Sequence, residues 1–294
     1  MSSLVRAHAA SWLARDVAGV VVEVVAAQGS VPRGTGTRML VSSGESVGTI
    51  GGGHLELKAI VAARAMLEGH DRSPHEQHFA LGPSLGQCCG GAVTLAFAPL
   101  DAAALERWPA AEPLFHLQLH GAGHVGRAIA TLLATLDAEV AWFDERDEEF
   151  PATTTLGSPW PGRIRQISAD TIEAEVRHAP PGAFFLVLTH EHALDLRIAE
   201  AILRRGDFAF FGLIGSKTKR AKFARRFEER GIAPATIARM TCPIGLPGID
   251  GKQPEVIAAG VVAQLLLERS RSMRTMTAHE TPDPHGRAAV LDGG

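Results

Sequence analysis

Apolar and polar positions change their period repeatedly along the chain, and the changes divide it into two halves. In the first, residues 4–15 carry apolar positions at helical spacing, and residues 20–26 form a β-branched run of strand length. A loop rich in glycine and proline follows over 28–36. Residues 38–41 and 46–50 predict a hairpin around Ser42-Ser43-Gly44-Glu45, and Gly51-Gly52-Gly53 leads into a helix over 54–68. Two further strands, 77–81 and 92–98, flank Gly82-Pro83-Ser84-Leu85-Gly86-Gln87-Cys88-Cys89-Gly90-Gly91.

Residues 99–113 have proline at both ends, Pro109 inside and little periodicity, so a linker is expected there, after an N-terminal domain over 1–98. From 114 onward strands and helices alternate: strands 114–119, 138–143, 163–167, 184–189 and 208–213, and helices 125–136, 195–205, 217–230 and 254–269, with a short one near Ile172. Such alternation means βαβ units and a mostly parallel sheet. The expected fold class is α/β: a C-terminal Rossmann-type parallel sheet over 114–270, preceded by a smaller β-rich α+β domain. The polar tail 271–294, with Thr, Pro, Asp and Gly, is expected to be disordered.

Bulk properties narrow the partners. A length of 294 residues fits two domains, and 46% hydrophobic with 21% charged residues fits a soluble globular protein. A net charge of −3 argues against nucleic acid or an anionic membrane as the main partner. The apolar run 20–27 contains Glu23 and is too short to span a bilayer. No basic, apolar and small-residue segments follow one another as in a secretory leader, so the expected location is the cytoplasm. Two of the three cysteines are adjacent, which reads as reduced thiols rather than a disulfide framework.

Gly121-Ala122-Gly123-His124-Val125-Gly126 directly follows an apolar strand. In such a turn Gly121 allows the tight bend, Gly123 lets backbone approach a phosphate, and Gly126 lets the helix pack closely on the strand. The helix that follows places Val125, Ile129, Leu132, Leu133 and Leu136 on one face. A second apolar strand ends at Asp144, where a ribose-binding acid would lie. Strand, turn, helix and acid are in register for a nucleotide site. The other reading is that the glycines serve turn geometry alone.

Cys88-Cys89 lies between flanking glycines, a setting that suits a thiolate offered to a ligand or soft metal; two buried small apolar residues beside a turn are the alternative. Gly29-Ser30-Val31-Pro32-Arg33 and Gly48-Thr49-Ile50-Gly51-Gly52-Gly53-His54-Leu55-Glu56 supply amides, Arg33, His54 and a helix start that together could cradle an anion. Taken alone they are two tight turns. His190, Glu191, His192 and Asp195 follow a strand and face the crevice at the carboxyl ends, as substrate contacts or a helix-start network; metal binding is the least favoured reading at this spacing. Ser216 is a good N-cap, and Ser216 with Lys217 either holds a phosphate-bearing ligand or starts a solvated helix whose inward side is Phe223 and Phe227. Cys242-Pro243 lies before the last helix, near the same crevice or as a buried thiol.

Seven motifs in one order, the four above with Thr189-His190-Glu191-His192-Ala193-Leu194-Asp195, Gly212-Leu213-Ile214-Gly215-Ser216-Lys217 and Cys242-Pro243-Ile244-Gly245-Leu246, make the sequence resemble the XdhC/CoxI family over about residues 10–270. Its members are accessory proteins that mature xanthine dehydrogenase and related molybdenum hydroxylases in purine catabolism. The resemblance implies a chaperone, not an enzyme, that binds the molybdenum cofactor (molybdopterin). It would protect the cofactor while a cysteine desulfurase installs the terminal sulfido ligand, then deliver it to apo xanthine dehydrogenase or a related hydroxylase. Cys88 and Cys89 would hold the cofactor or its metal, in a cleft facing the carboxyl ends of the Rossmann strands. Gln253 stands where a threonine is expected before Pro254, which leaves the helix start intact. NAD(P) or another nucleotide in the Rossmann cleft stays open, as does a homo-oligomer. The rival readings are an NAD(P)-dependent oxidoreductase, for which the chain has no tyrosine and no ordered proton relay, and a nucleotide-sensing module that binds a partner enzyme.

Overall fold

The computed structural model describes residues 3–69, 72–81, 90–109 and 112–280. Contacts divide the chain into two compact units, Met1–Glu112 and Pro113–Gly294.

The first unit is built on five antiparallel strands: β1 (Gly19–Gln28), β2 (Arg38–Ser42), β3 (Ser46–Gly48), β4 (His75–Ala80) and β5 (Ala92–Pro99), in the order β3-β2-β1-β5-β4. Alternation along β1 buries both faces of the sheet. Val20, Val22 and Val24 point to the side of helix α2 (Gly53–Glu68), with its Leu55, Ala59 and Ala63. Val21 and Leu40 point the other way, to Ala9 and Trp12 of α1 (Ser3–Ala14). The expected linker is not featureless. Asp101 accepts the amide of Ala104 at 2.6 Å and starts α3 (Ala102–Arg107), while buried Leu100 and Trp108 fix the segment to the α1 side of the sheet.

The second unit carries six parallel strands: β6 (His116–His120), β7 (Glu139–Asp144), β8 (Ile164–Ser168), β9 (Phe184–Val187), β10 (Phe210–Leu213) and β11 (Met240–Thr241). Their order is β11-β10-β9-β6-β7-β8, the doubly wound Rossmann arrangement. Helices α4 (His124–Leu133) and α9 (Pro254–Glu280) cover one face through Ile129, Leu133, Ala258, Val261 and Leu265. Helices α5 (Ile172–Glu175), α6 (His192–Arg205) and α7 (Lys217–Glu229) cover the other through Ile172, Ile198, Ile202, Phe223 and Phe227. Helix α8 (Pro234–Ala238) and β11 are too short to show a period and were not legible.

Two expectations need correction. Leu132, assigned to the inward face of α4, is 37% exposed; Ile129 and Leu133, four apart, carry that packing. The tail does not break up at 271: α9 runs on to Glu280, since 261–280 holds no glycine or proline and Arg271 pairs with Glu268.

Candidate functional site

The order of strands reverses between β6 and β9, the switch point outside whose carboxyl ends open α/β sheets bind their ligands. The chain leaves β6 through Gly121 at φ +120°, where a Cβ would lie 2.3 Å from the carbonyl oxygen of Leu188 at the end of β9. A Cβ on Gly126 would lie 2.1 Å from the carbonyl oxygen of Gly121, so this glycine lets α4 close on the turn. Trp142, fully buried in β7, donates its indole N–H to that same oxygen at 2.9 Å. Gly123 differs from both: nothing lies within 4 Å of its Cβ position, and it caps α4 with no side chain over the helix start. No side chain caps the first amides of α4, which stand beside exposed His124.

Asp144 ends β7 at the expected place but is turned inward, 3% exposed. Its carboxylate accepts the Ala122 amide at 2.7 Å and three donors from Arg146. Burial alone would raise its pKa; the Arg146 and Ala122 hydrogen bonds outweigh that and hold it below the usual carboxylate range. Glu149 ties Arg146 to Arg127, whose guanidinium also donates to the carbonyl of Ala122. The acid is thus a strut of the glycine turn.

His120, the residue before the turn, is fully buried and stacked on Phe143. Gln118 donates its amide N–H to the Glu175 carbonyl, which leaves its oxygen to accept from His120 Nε2 at 3.3 Å. Nδ1 has no partner among the described residues, and burial pushes the imidazole pKa down to about 3.

At the ends of β9 and β10, Asp195 is fully buried and accepts the amide and hydroxyl of Thr189 at 3.0 and 2.7 Å and Lys219 Nζ at 2.5 Å. Lys219 also donates to the Ile214 carbonyl. Ser216 caps α7 by accepting the Lys219 amide at 3.2 Å, as the sequence predicts, and Ser216 and Lys217 are exposed. His190, Glu191 and His192 are exposed on the same side. Among the described residues, no three His, Cys, Asp or Glu side chains are arranged to hold a metal ion. Cys242 is the buried thiol of the two readings; it faces the Ser216 carbonyl at 3.8 Å, and burial pushes its pKa up.

In the first unit three motifs meet. A Cβ on Gly51 would strike the ring of Pro32, and one on Gly91 would strike the carbonyls of Gln28 and Ser30, so the loop carrying exposed Arg33 lies between them. The expected anion cradle at the start of α2 is filled from within. Glu56 Oε2 accepts the Thr49 hydroxyl at 2.5 Å and the amides of Ile50 and Gly52 at 3.2 and 3.1 Å. Gly53 and His54 are exposed beside it. Leu81 N donates to the Gly91 carbonyl at 2.8 Å, joining β4 to β5; Cys88 and Cys89, between them in sequence, lie outside the described residues.

Of the predicted residues, Gly121, Gly123, His124, Gly126, Asp144, His190, Ser216 and Lys217 all stand at the carboxyl end of the parallel sheet. The sequence reading missed Arg146, Lys219, Glu56 and His120. Two had a usable signal: Arg146 stands two residues after the acid, and His120 is a polar side chain in an otherwise apolar strand end.

Comparison with known proteins agrees with this geometry. A model of the XdhC Rossmann domain matches residues 117–265, and one of the XdhC and CoxI family matches residues 12–79. The uncharacterized protein YqeB of Escherichia coli K12 is 32% identical over 258 residues, 83% of this chain. The chain spans only 42% of that relative's length. A crystal structure described as a xanthine dehydrogenase from Bacillus halodurans has the same fold, with a TM-score of 0.70 at 19% identity, covering 94% of this chain and 98% of the other. No helix among the described residues is long and apolar enough to cross a membrane. With the glycine turn, the cysteine pair and both family models in one chain, the protein belongs to the XdhC and CoxI family.

Proposed function

We propose that this protein is a cytoplasmic carrier of the molybdenum cofactor, acting in the maturation of xanthine dehydrogenase or a related molybdenum hydroxylase. It binds the pterin, shields it while a cysteine desulfurase supplies sulfur, and passes it to the apo-enzyme. Family membership supports this reading, and one structural observation carries it: the Rossmann turn is open for a phosphate at Gly123 while its acid is engaged internally. The bound cofactor supplies the redox-active metal and its sulfido ligand, and the chain supplies the holding groups. The amides at the start of α4, beside His124, would take the pterin's phosphate. Cys88 and Cys89 would offer thiolates as soft ligands that an acceptor enzyme can displace. Nothing in this role requires turnover.

Mass analysis of small molecules that copurify with the full chain tests it. A pterin at close to one per chain is expected, reduced to background when Cys88 and Cys89 are both changed to Ala. Absence of any pterin from protein made in a molybdenum-replete cell would sink the proposal, and undiminished pterin in the double variant would remove the cysteines from it.

A further inference from the structure

A Rossmann sheet raises the expectation of a dinucleotide whose adenosine ribose is held by an acid at the end of the second strand. The glycines of this chain fit a phosphate, but the acid does not fit a ribose. A carboxylate offers about four in-plane acceptor positions. In Asp144, Oδ1 accepts the amide and Nε of Arg146, both at 3.0 Å. Oδ2 accepts the Ala122 amide at 2.7 Å and Arg146 Nη2 at 3.2 Å. A ribose hydroxyl would have to donate into a set already filled.

The same strand end is also poor for a second phosphate. Arg146 stands among Glu145, Asp147, Glu148 and Glu149, and its Nη1 is given to Glu149 at 3.1 Å. Among the described residues at the ends of β6 and β7, the start of α4 at the turn is left as the seat for an anion.

We propose that Arg146 sets the ligand class of this cleft. By filling Asp144 it removes the ribose receptor, so the cleft holds a single phosphomonoester at the glycine turn and discriminates against NAD and NADP. This rests on reading the turn as the seat of the pterin's phosphate, and it assigns specificity to a side chain that need not touch the pterin. Arg146→Met removes the two side-chain donors, Nε and Nη2, at similar side-chain length and leaves the backbone amides of residues 122 and 146 to hold the carboxylate, one on each oxygen. Arg146→Lys keeps the cation but loses the planar fork, and serves if the Met variant does not fold.

The test titrates full-length protein with NADH, followed by nicotinamide fluorescence, and with phenyl phosphate, followed by calorimetry. Arg146→Met or Arg146→Lys is expected to bind NADH about tenfold or more tighter than wild type, the scale of a hydrogen bond to a charged group. The gain should vanish when Asp144→Ala is added. Phenyl phosphate should bind wild type and variants alike. Variants that gain nothing for NADH, from whatever starting affinity, overturn the proposal, as does wild type that ignores phenyl phosphate. The carrier reading fails separately, by absence of copurified pterin, and the NADH gain is scored independently of it.

Discussion

Lys219 and Asp195 form an ion pair at 2.5 Å with side chains only 10% and 1% exposed, joining the first turn of α7 to the first turn of α6. Breaking a buried pair leaves a charge with no compensation, which costs about 3–5 kcal/mol. Lys219→Met is expected to lower stability by that order in urea unfolding of the full chain. Adding Asp195→Asn should restore part of the loss, because the uncompensated carboxylate is gone. Additive losses would show that the two side chains do not act as a pair.

The three glycines of the Rossmann turn should separate cleanly. Gly121→Ala and Gly126→Ala each drive a Cβ into backbone, and position 121 also needs φ +120°, so losses of about 3 kcal/mol or more are expected. Gly123→Ala has an open Cβ position and φ −68°, and should melt at or slightly above the wild-type temperature while losing pterin. Differential scanning calorimetry with pterin quantitation checks all three.

Glu56→Ala strips one acceptor from the Thr49 hydroxyl and the amides of Ile50 and Gly52. A loss of about 1–3 kcal/mol is expected in the first unit, read by hydrogen exchange at 50–52 as faster opening there. Unchanged exchange at those amides would show that water replaces the carboxylate at no cost.

His120 predicts an acid-sensitive core. Its folded pKa, about 3, lies below the ordinary 6.5, so between those values the unfolded chain binds a proton that the folded chain refuses. Stability is therefore full above pH 6.5 and falls as pH drops toward 3. At pH 5 the loss is roughly 2 kcal/mol. Asp144 acts in a different window: its depressed pKa makes a contribution that is lost only as pH falls below the ordinary 3.8. Unfolding curves at pH 7 and 5 for wild type and His120→Phe should show a smaller pH difference in the variant.

Much of this was legible before any coordinates. The turn was readable because sterics at Gly121 and Gly126 demand glycine, and parallel strands announce themselves by apolar runs between amphipathic helices. What the sequence hid was the pairing of polar groups. Asp144 looks the same in a string of letters whether it faces a ribose or Arg146, and Glu56 whether it stands in solvent or caps its own helix. Lys219 was lost in a basic helix because its fate depends on Asp195, twenty-four residues away. The short β11 follows from pairing with β10 rather than from any local period.

The bond from Leu81 to Gly91 gives the first unit a useful modularity. It fixes where the chain departs from one strand and rejoins the next, so the span carrying Cys88 and Cys89 is attached to the sheet like a cartridge to a frame. Lengthening such a span is cheap, about 0.6 kcal/mol for each doubling. The length of chain between Leu81 and Gly91 can therefore change, in evolution or by design, without rebuilding the two strands it joins.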